Sequence, residues 1–155
     1  MSGAISWIFA LLLAGALLLA AAVDWRSRRI PNWLNAAIAL LAIPFWWASG
    51  ETWPQMVIHV GIAAFVFMVF AIAFWIGQMG GGDVKLIGAL ALWLPPQGVM
   101  QMLVIMAIAG GVLTLAMFIP HKIARSAGQP EIPYGIAIAF AGLWLLGERF
   151  LNQFV

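Results

Sequence analysis

The first charged residue of the chain is Asp24, and the run before it, residues 3–23, is apolar almost throughout. Roughly twenty such residues, at 1.5 Å of rise each, make a helix of about 30 Å, the hydrocarbon thickness of a bilayer. The pattern then repeats. Apolar runs over about 33–48, 55–76, 84–94, 99–119 and 133–147 are parted by short breaks rich in Gly, Pro and charge. A soluble domain is about half apolar and a quarter charged. This chain of 155 residues is 65% hydrophobic and 8% charged, with a mean hydropathy of +1.06. Seven Lys and Arg with five Asp and Glu cannot cover a water-facing surface of that size. The expected fold is an all-α membrane protein, a polytopic bundle of six transmembrane helices forming one domain over residues 1–155.

No basic segment precedes the first run, so it reads as a retained helix and not a removed signal peptide. Cysteine is absent, which excludes disulfides, thiolate catalysis and Cys-based zinc sites. No basic patch alternates with polar surface, so nucleic acid is not an expected partner. Orientation follows from the positive-inside rule: six spans place Arg26, Arg28, Arg29, Lys85, Lys122 and Arg125 on the cytoplasmic side. Arg149 alone is left opposite, with both termini on the non-cytoplasmic side. The tryptophans fit interfacial belts, with Trp25, Trp33 and Trp75 at inner ends of spans and Trp46, Trp53, Trp93 and Trp144 among those at outer ends.

Two polar clusters share the cytoplasmic end. One is Asp24 with the arginines that follow it; the other is the glycine-rich break running from Gln78 through Gly80, Gly81, Gly82 and Asp83 to Lys85. An ionisable group at membrane depth costs about 2.5 to 3.5 kcal/mol or more at a helix centre and is by default a functional-site hypothesis. Consecutive glycines permit positive φ and close approach of another chain. Two carboxylates a few Å apart do not ionise together easily, so one keeps a proton. The ionised member can then take a proton from water attacking a peptide carbonyl, while the protonated one polarises that carbonyl and later protonates the leaving amine. Plainer roles exist for each residue. Asp83 suits a helix N-cap, and Asp24 beside arginines suits an interfacial ion pair. The arginines suit topology and anionic-lipid contacts. Lys85 suits a snorkelling side chain, or a charge that biases the carboxylate pair. His59, within the third run, is expected to make a polar interhelical contact. His121 has no partner at metal-ligand spacing, so no metal is expected.

The residues Gly80-Gly81-Gly82-Asp83 followed by Val-Lys-Leu, Asp24 ahead of Arg-Arg-Ile-Pro-Asn, and Ile132-Pro133-Tyr134-Gly135 at the start of the last run together resemble the type IV prepilin peptidases. The resemblance implies an intramembrane aspartic endopeptidase of the GxGD kind that removes the short basic leader of pilin-like preproteins at the cytoplasmic membrane face. Its catalytic aspartates would be Asp24 and Asp83, Gly80 and Gly82 would serve backbone conformation and peptide access, and Lys85 matches a motif position. No cofactor is implied. The absence of cysteine and of an added cytoplasmic region resembles the short, Tad-type form that serves Flp-like pilins, without methyltransferase activity. The implied location is the bacterial inner membrane, with lipids and prepilins as partners. Glu131 is a candidate contact for the basic leader. Two other classes fit the composition: a small proton-coupled carrier using the two aspartates as ion sites, and a non-catalytic pilus or secretion assembly factor. Carrier sites usually lie near the midplane, whereas both aspartates fall at one membrane face.

Overall fold

The computed structural model describes the backbone of residues 2–123 and 132–151 and the side chains of residues 5–117 and 132–149. Six helices follow in order: α1 (Ser2–Ser27), α2 (Asn32–Ala48), α3 (Trp53–Trp75), α4 (Gly81–Ala91), α5 (Pro96–Ile123) and α6 (Tyr134–Leu151). Three contain stretches long and apolar enough to cross a membrane: Ile5–Ser27, Trp53–Trp75 and Pro96–Met117. The α2 helix is equally apolar but has 17 residues. The α4 helix has 11, roughly 16 Å of rise, so as a helix it covers about half of the hydrocarbon thickness.

Local chemistry sets the helix ends. The apolar run ends at Val23, yet α1 continues through Asp24 to Ser27 because Asp-Trp-Arg-Ser holds no helix breaker. It stops where Arg28 turns left-handed at φ 54°, with the Arg28 N–H on the Asp24 carbonyl at 2.9 Å. At the end of α3, Gly77 takes φ 76°; its N–H reaches the Phe74 carbonyl and that of Gln78 the Ala73 carbonyl, both at 2.9 Å. This is a Schellman closure, in which a glycine without a Cβ takes the left-handed position. The expected polar connection after residue 119 begins as helix, since α5 runs to Ile123. Arg125 and Glu131 lie outside the described residues.

Helices α1, α2, α4 and α6 form a ring in which each packs on its neighbours, while α3 lies against α4 and α5 against α6. Leu17, Ile38, Leu86, Leu90 and Ile138 fill its centre, fully buried. Gly142 brings α6 close in, for a Cβ there would meet Leu17 and Leu90 at 2.8 Å. Small residues allow such close approach between membrane helices.

The short α4 helix ends inside the protein, so its last carbonyls need partners. Trp46 of α2 donates its indole N–H to the Leu92 carbonyl at 2.9 Å, and His59 of α3 bonds the Leu94 carbonyl at 2.9 Å through Nδ1. A carbonyl only accepts, so the proton is on Nδ1. Trp93 reaches back to the Ile38 carbonyl of α2 at 2.9 Å. Trp46 and Trp93 were expected in an interfacial belt; instead both are buried. Their N–H groups satisfy the main-chain oxygens of Leu92 and Ile38. Trp93→Ala should cost about 3 to 5 kcal/mol through the cavity it leaves, read as a lower melting temperature of the purified protein in detergent.

Candidate active site

The C-terminal turn of α1 holds Asp24 at the same end of the ring where α2, α4 and α6 begin. Only 3% of Asp24 is exposed. The first turn of α6 faces it, with the Gly135 N–H directed at its carboxyl and that of Ile136 shared between this carboxyl and the Pro133 carbonyl at 3.2 Å. Unsatisfied N–H groups at a helix start, together with the helix dipole, form an anion-binding end. Gly135 is what lets the two meet: a Cβ on it would lie 2.8 Å from Asp24 Oδ2 and 2.7 Å from Ile30 Cδ1. The Ile-Pro-Tyr-Gly segment thus supplies a helix start and a missing side chain at the point of contact.

Asp83 stands in the first turn of α4, outside the three helices long enough to cross. It was expected to suit an N-cap, but Gly80 holds that position. Asp83 is three residues further on, and its carboxyl bonds back to the Gly80 N–H, which is the carboxylate half of a capping box. Burial, and next the negative charge of Asp24, push the Asp83 carboxyl up to about 7, against the lowering effect of the Gly80 bond. The two aspartates, 59 positions apart (83 − 24), are therefore close enough to sense each other's charge.

The motif glycines work differently from expectation. None of Gly80, Gly81 and Gly82 has positive φ; among the described glycines that angle belongs to Gly50 and Gly77. Helix α4 starts within the motif, so these residues have helical or extended backbone, and the left-handed turn is made earlier. Close approach is real, but its partners belong to this chain. A Cβ on Gly82 would meet the Ile30 backbone at 3.3 Å, and one on Gly80 would meet Asp83 Oδ2 at 3.0 Å. Ile30 is thereby wedged between Gly82 of α4 and Gly135 of α6, the two elements that carry or face the aspartates.

Lys85 does not pair with either aspartate. Its Nζ donates to Asn32 Oδ1 at 2.8 Å, tying α4 to the first turn of α2. One turn along, Asn35 donates from Nδ2 to the Gly82 carbonyl at 3.1 Å. Sequence reasoning passed over Asn35, although an amide inside an apolar membrane run is a signal in its own right. Among the described residues, only Asp24 Oδ2 and Asn35 Oδ1 are buried side-chain polar atoms with no hydrogen-bond partner. Buried polar atoms are nearly always paired, and exceptions gather at functional sites. Both exceptions fall at this end of the ring.

A model of the type IV leader peptidase family matches residues 11–115. The matched range includes Asp24, the turn through Ile30 to Asn35, and the Gly80–Asp83 motif, while Gly135 follows it in the chain. No curated protein and no solved structure matches.

Proposed function

Because this chain belongs to the type IV leader peptidase family, we propose that it is an aspartic endopeptidase that removes the basic leader of Flp-like prepilins at the cytoplasmic membrane face. The observation that supports the reading is that Asp83, on a helix remote in sequence, senses the charge of Asp24, which is buried with an oxygen no hydrogen bond uses. Asp24 and Asp83 share a proton, act on water and on the peptide carbonyl, and return a proton to the leaving amine. The Gly135 and Ile136 N–H groups hold Asp24 in place for that exchange. Gly80 and Gly82 keep Asp83 and Ile30 close, and Lys85 fixes α4 to α2. In this reading six crossings of the bacterial inner membrane leave both termini outside, and the scissile bond of a prepilin, between polar leader and apolar helix, lies at the depth of the pair.

The test is cleavage of a co-expressed Flp-type precursor, followed as a shift in its size. A precursor that stays full-length in the presence of membrane-inserted protein, across several pilin-like substrates, overturns the proposal. The pH dependence is a further expected outcome. Cleavage needs one proton on the pair, so its rate should fall about tenfold per pH unit above about 7, as Asp83 loses its proton. The stability contribution has the same sign. A carboxyl whose pKa rises on folding favours the fold fully below its ordinary value near 3.8 and loses that contribution as pH climbs to about 7. A rate flat from pH 6 to about 9 would remove the shared-proton step.

A further inference from the structure

Helices α2 and α3 both lean on α4 without packing closely on each other, and between them runs a groove of about 500 Å³. Its floor is α4. Ala36 and Ala39 on α2, Ala63 and Ala64 on α3, and Gly88 and Ala89 beneath give it a run of small side chains, with Val60, Phe67 and Leu92 standing among them. One end is polar, lined by Asn32, Asn35 and Lys85, and that end adjoins the Gly82–Asp83 turn through the Asn35 bond to the Gly82 carbonyl.

We propose that this groove seats the apolar helix of the substrate, with the start of that helix at Asn35 beside the Asp83 turn. The proposal rests on the peptidase reading above and adds where the substrate lies. Small side chains along a lipid-facing groove let another helix backbone come close, which is how membrane helices associate. A volume of about 500 Å³ suits one face of a short helical segment. The polar end has a matching reason. A helix begins with four N–H groups that its own backbone cannot satisfy, and in a membrane each unsatisfied group costs several kcal/mol. Asn35 is 4% exposed, its Nδ2 is committed to Gly82, and its Oδ1 has no partner. It is a buried acceptor at the polar end of the groove, and a turn of the amide would offer it to the donors at the start of the substrate helix. The groove between α5 and α6, about 590 Å³, is lined by residues such as Ile108, Ala109, Phe140 and Trp144 with no Asn or charged residue among them; it has no comparable polar end and suits lipid chains.

The protein has no cysteine, so single cysteines report cleanly. Ala39→Cys, Ala64→Cys and, in the other groove, Ile108→Cys would each be oxidised with a Flp-type precursor carrying one cysteine in the first two turns after its cleavage site. Each would be made in the wild-type and the Asp83→Asn background. The expected result is cross-linking from Ala39→Cys and Ala64→Cys in both backgrounds, about tenfold above Ile108→Cys. Equal or stronger linking from Ile108→Cys, or none from the two groove positions while the wild type still cuts the precursor, overturns the groove. A precursor that links in the groove but is never cut supports the groove and counts against the peptidase reading. Ala64→Phe, which narrows the groove away from the aspartates, should raise KM for the membrane-embedded precursor about tenfold with kcat within about twofold; unchanged KM also counts against it.

Discussion

Replacing either Asp24 or Asp83 by asparagine is expected to reduce precursor cleavage by about 10³-fold or more, with the same amount of protein in the membrane. Asparagine keeps the size of the side chain and an acceptor oxygen. At position 24 that oxygen can still face the Gly135 and Ile136 N–H groups, and at position 83 it can still bond the Gly80 N–H. Packing and helix capping are thus preserved, while proton exchange is lost. The double variant should be no slower than the slower single one, because residues that act as a unit do not contribute additively. A single variant that cuts within about tenfold of wild type would mean that its aspartate is structural. For Asp83 the remaining role would be capping α4, which the bond to Gly80 already shows it can perform.

Gly135→Ala carries the second large effect. One methyl group there would sit 2.8 Å from Asp24 Oδ2, 2.9 Å from its Cγ and 2.7 Å from Ile30 Cδ1. Ile30 Cδ1 is the end of a flexible side chain and can move. The Asp24 carboxyl is buried on a rigid helix, so yielding means leaving the α6 N–H groups. We expect kcat to fall about 10- to 100-fold, equivalent to about 1.4 to 2.8 kcal/mol of barrier, with a smaller change in KM. Adding Ile30→Val relieves only the contact with Cδ1. If Gly135→Ala acts by displacing Asp24, this second change restores little; full recovery would show that Ile30 was the obstacle. Gly111→Ala is the control, since a Cβ at Gly111 meets nothing within 4 Å.

Helices and their order were legible because apolar runs and Gly or Pro breaks are written locally in the chain. That Asp24 and Asp83 belong to one end of the bundle was also legible, since each break falls at the end of an apolar run on the same side of the count, and in the structure Asp83 senses the charge of Asp24. What could not be read is what each side chain touches. Gly80, Gly81 and Gly82 suggested positive φ by composition, yet the turn fell to Gly77, because α3 ends before the motif and α4 begins inside it. Trp46 and Trp93 have the composition of belt residues; their use as donors to Leu92 and Ile38 depends on α4 stopping short. Lys85 could be seen as a charge near the aspartates, but its partner is Asn32, 53 residues away. Such contacts arise from the ring of helices, which no local pattern encodes.

The dependence of Asp24 on the first turn of α6 also sets an order of assembly. Both aspartates are synthesised by residue 83, and α1 to α4 can bring them to one end of the membrane. The N–H groups that hold Asp24, and the gap at Gly135 into which its carboxyl fits, arrive only when the last helix has inserted. A chain that has inserted only α1 to α4 therefore carries both acids without the helix start that faces Asp24. On the peptidase reading, activity waits until α6 has inserted beside α1.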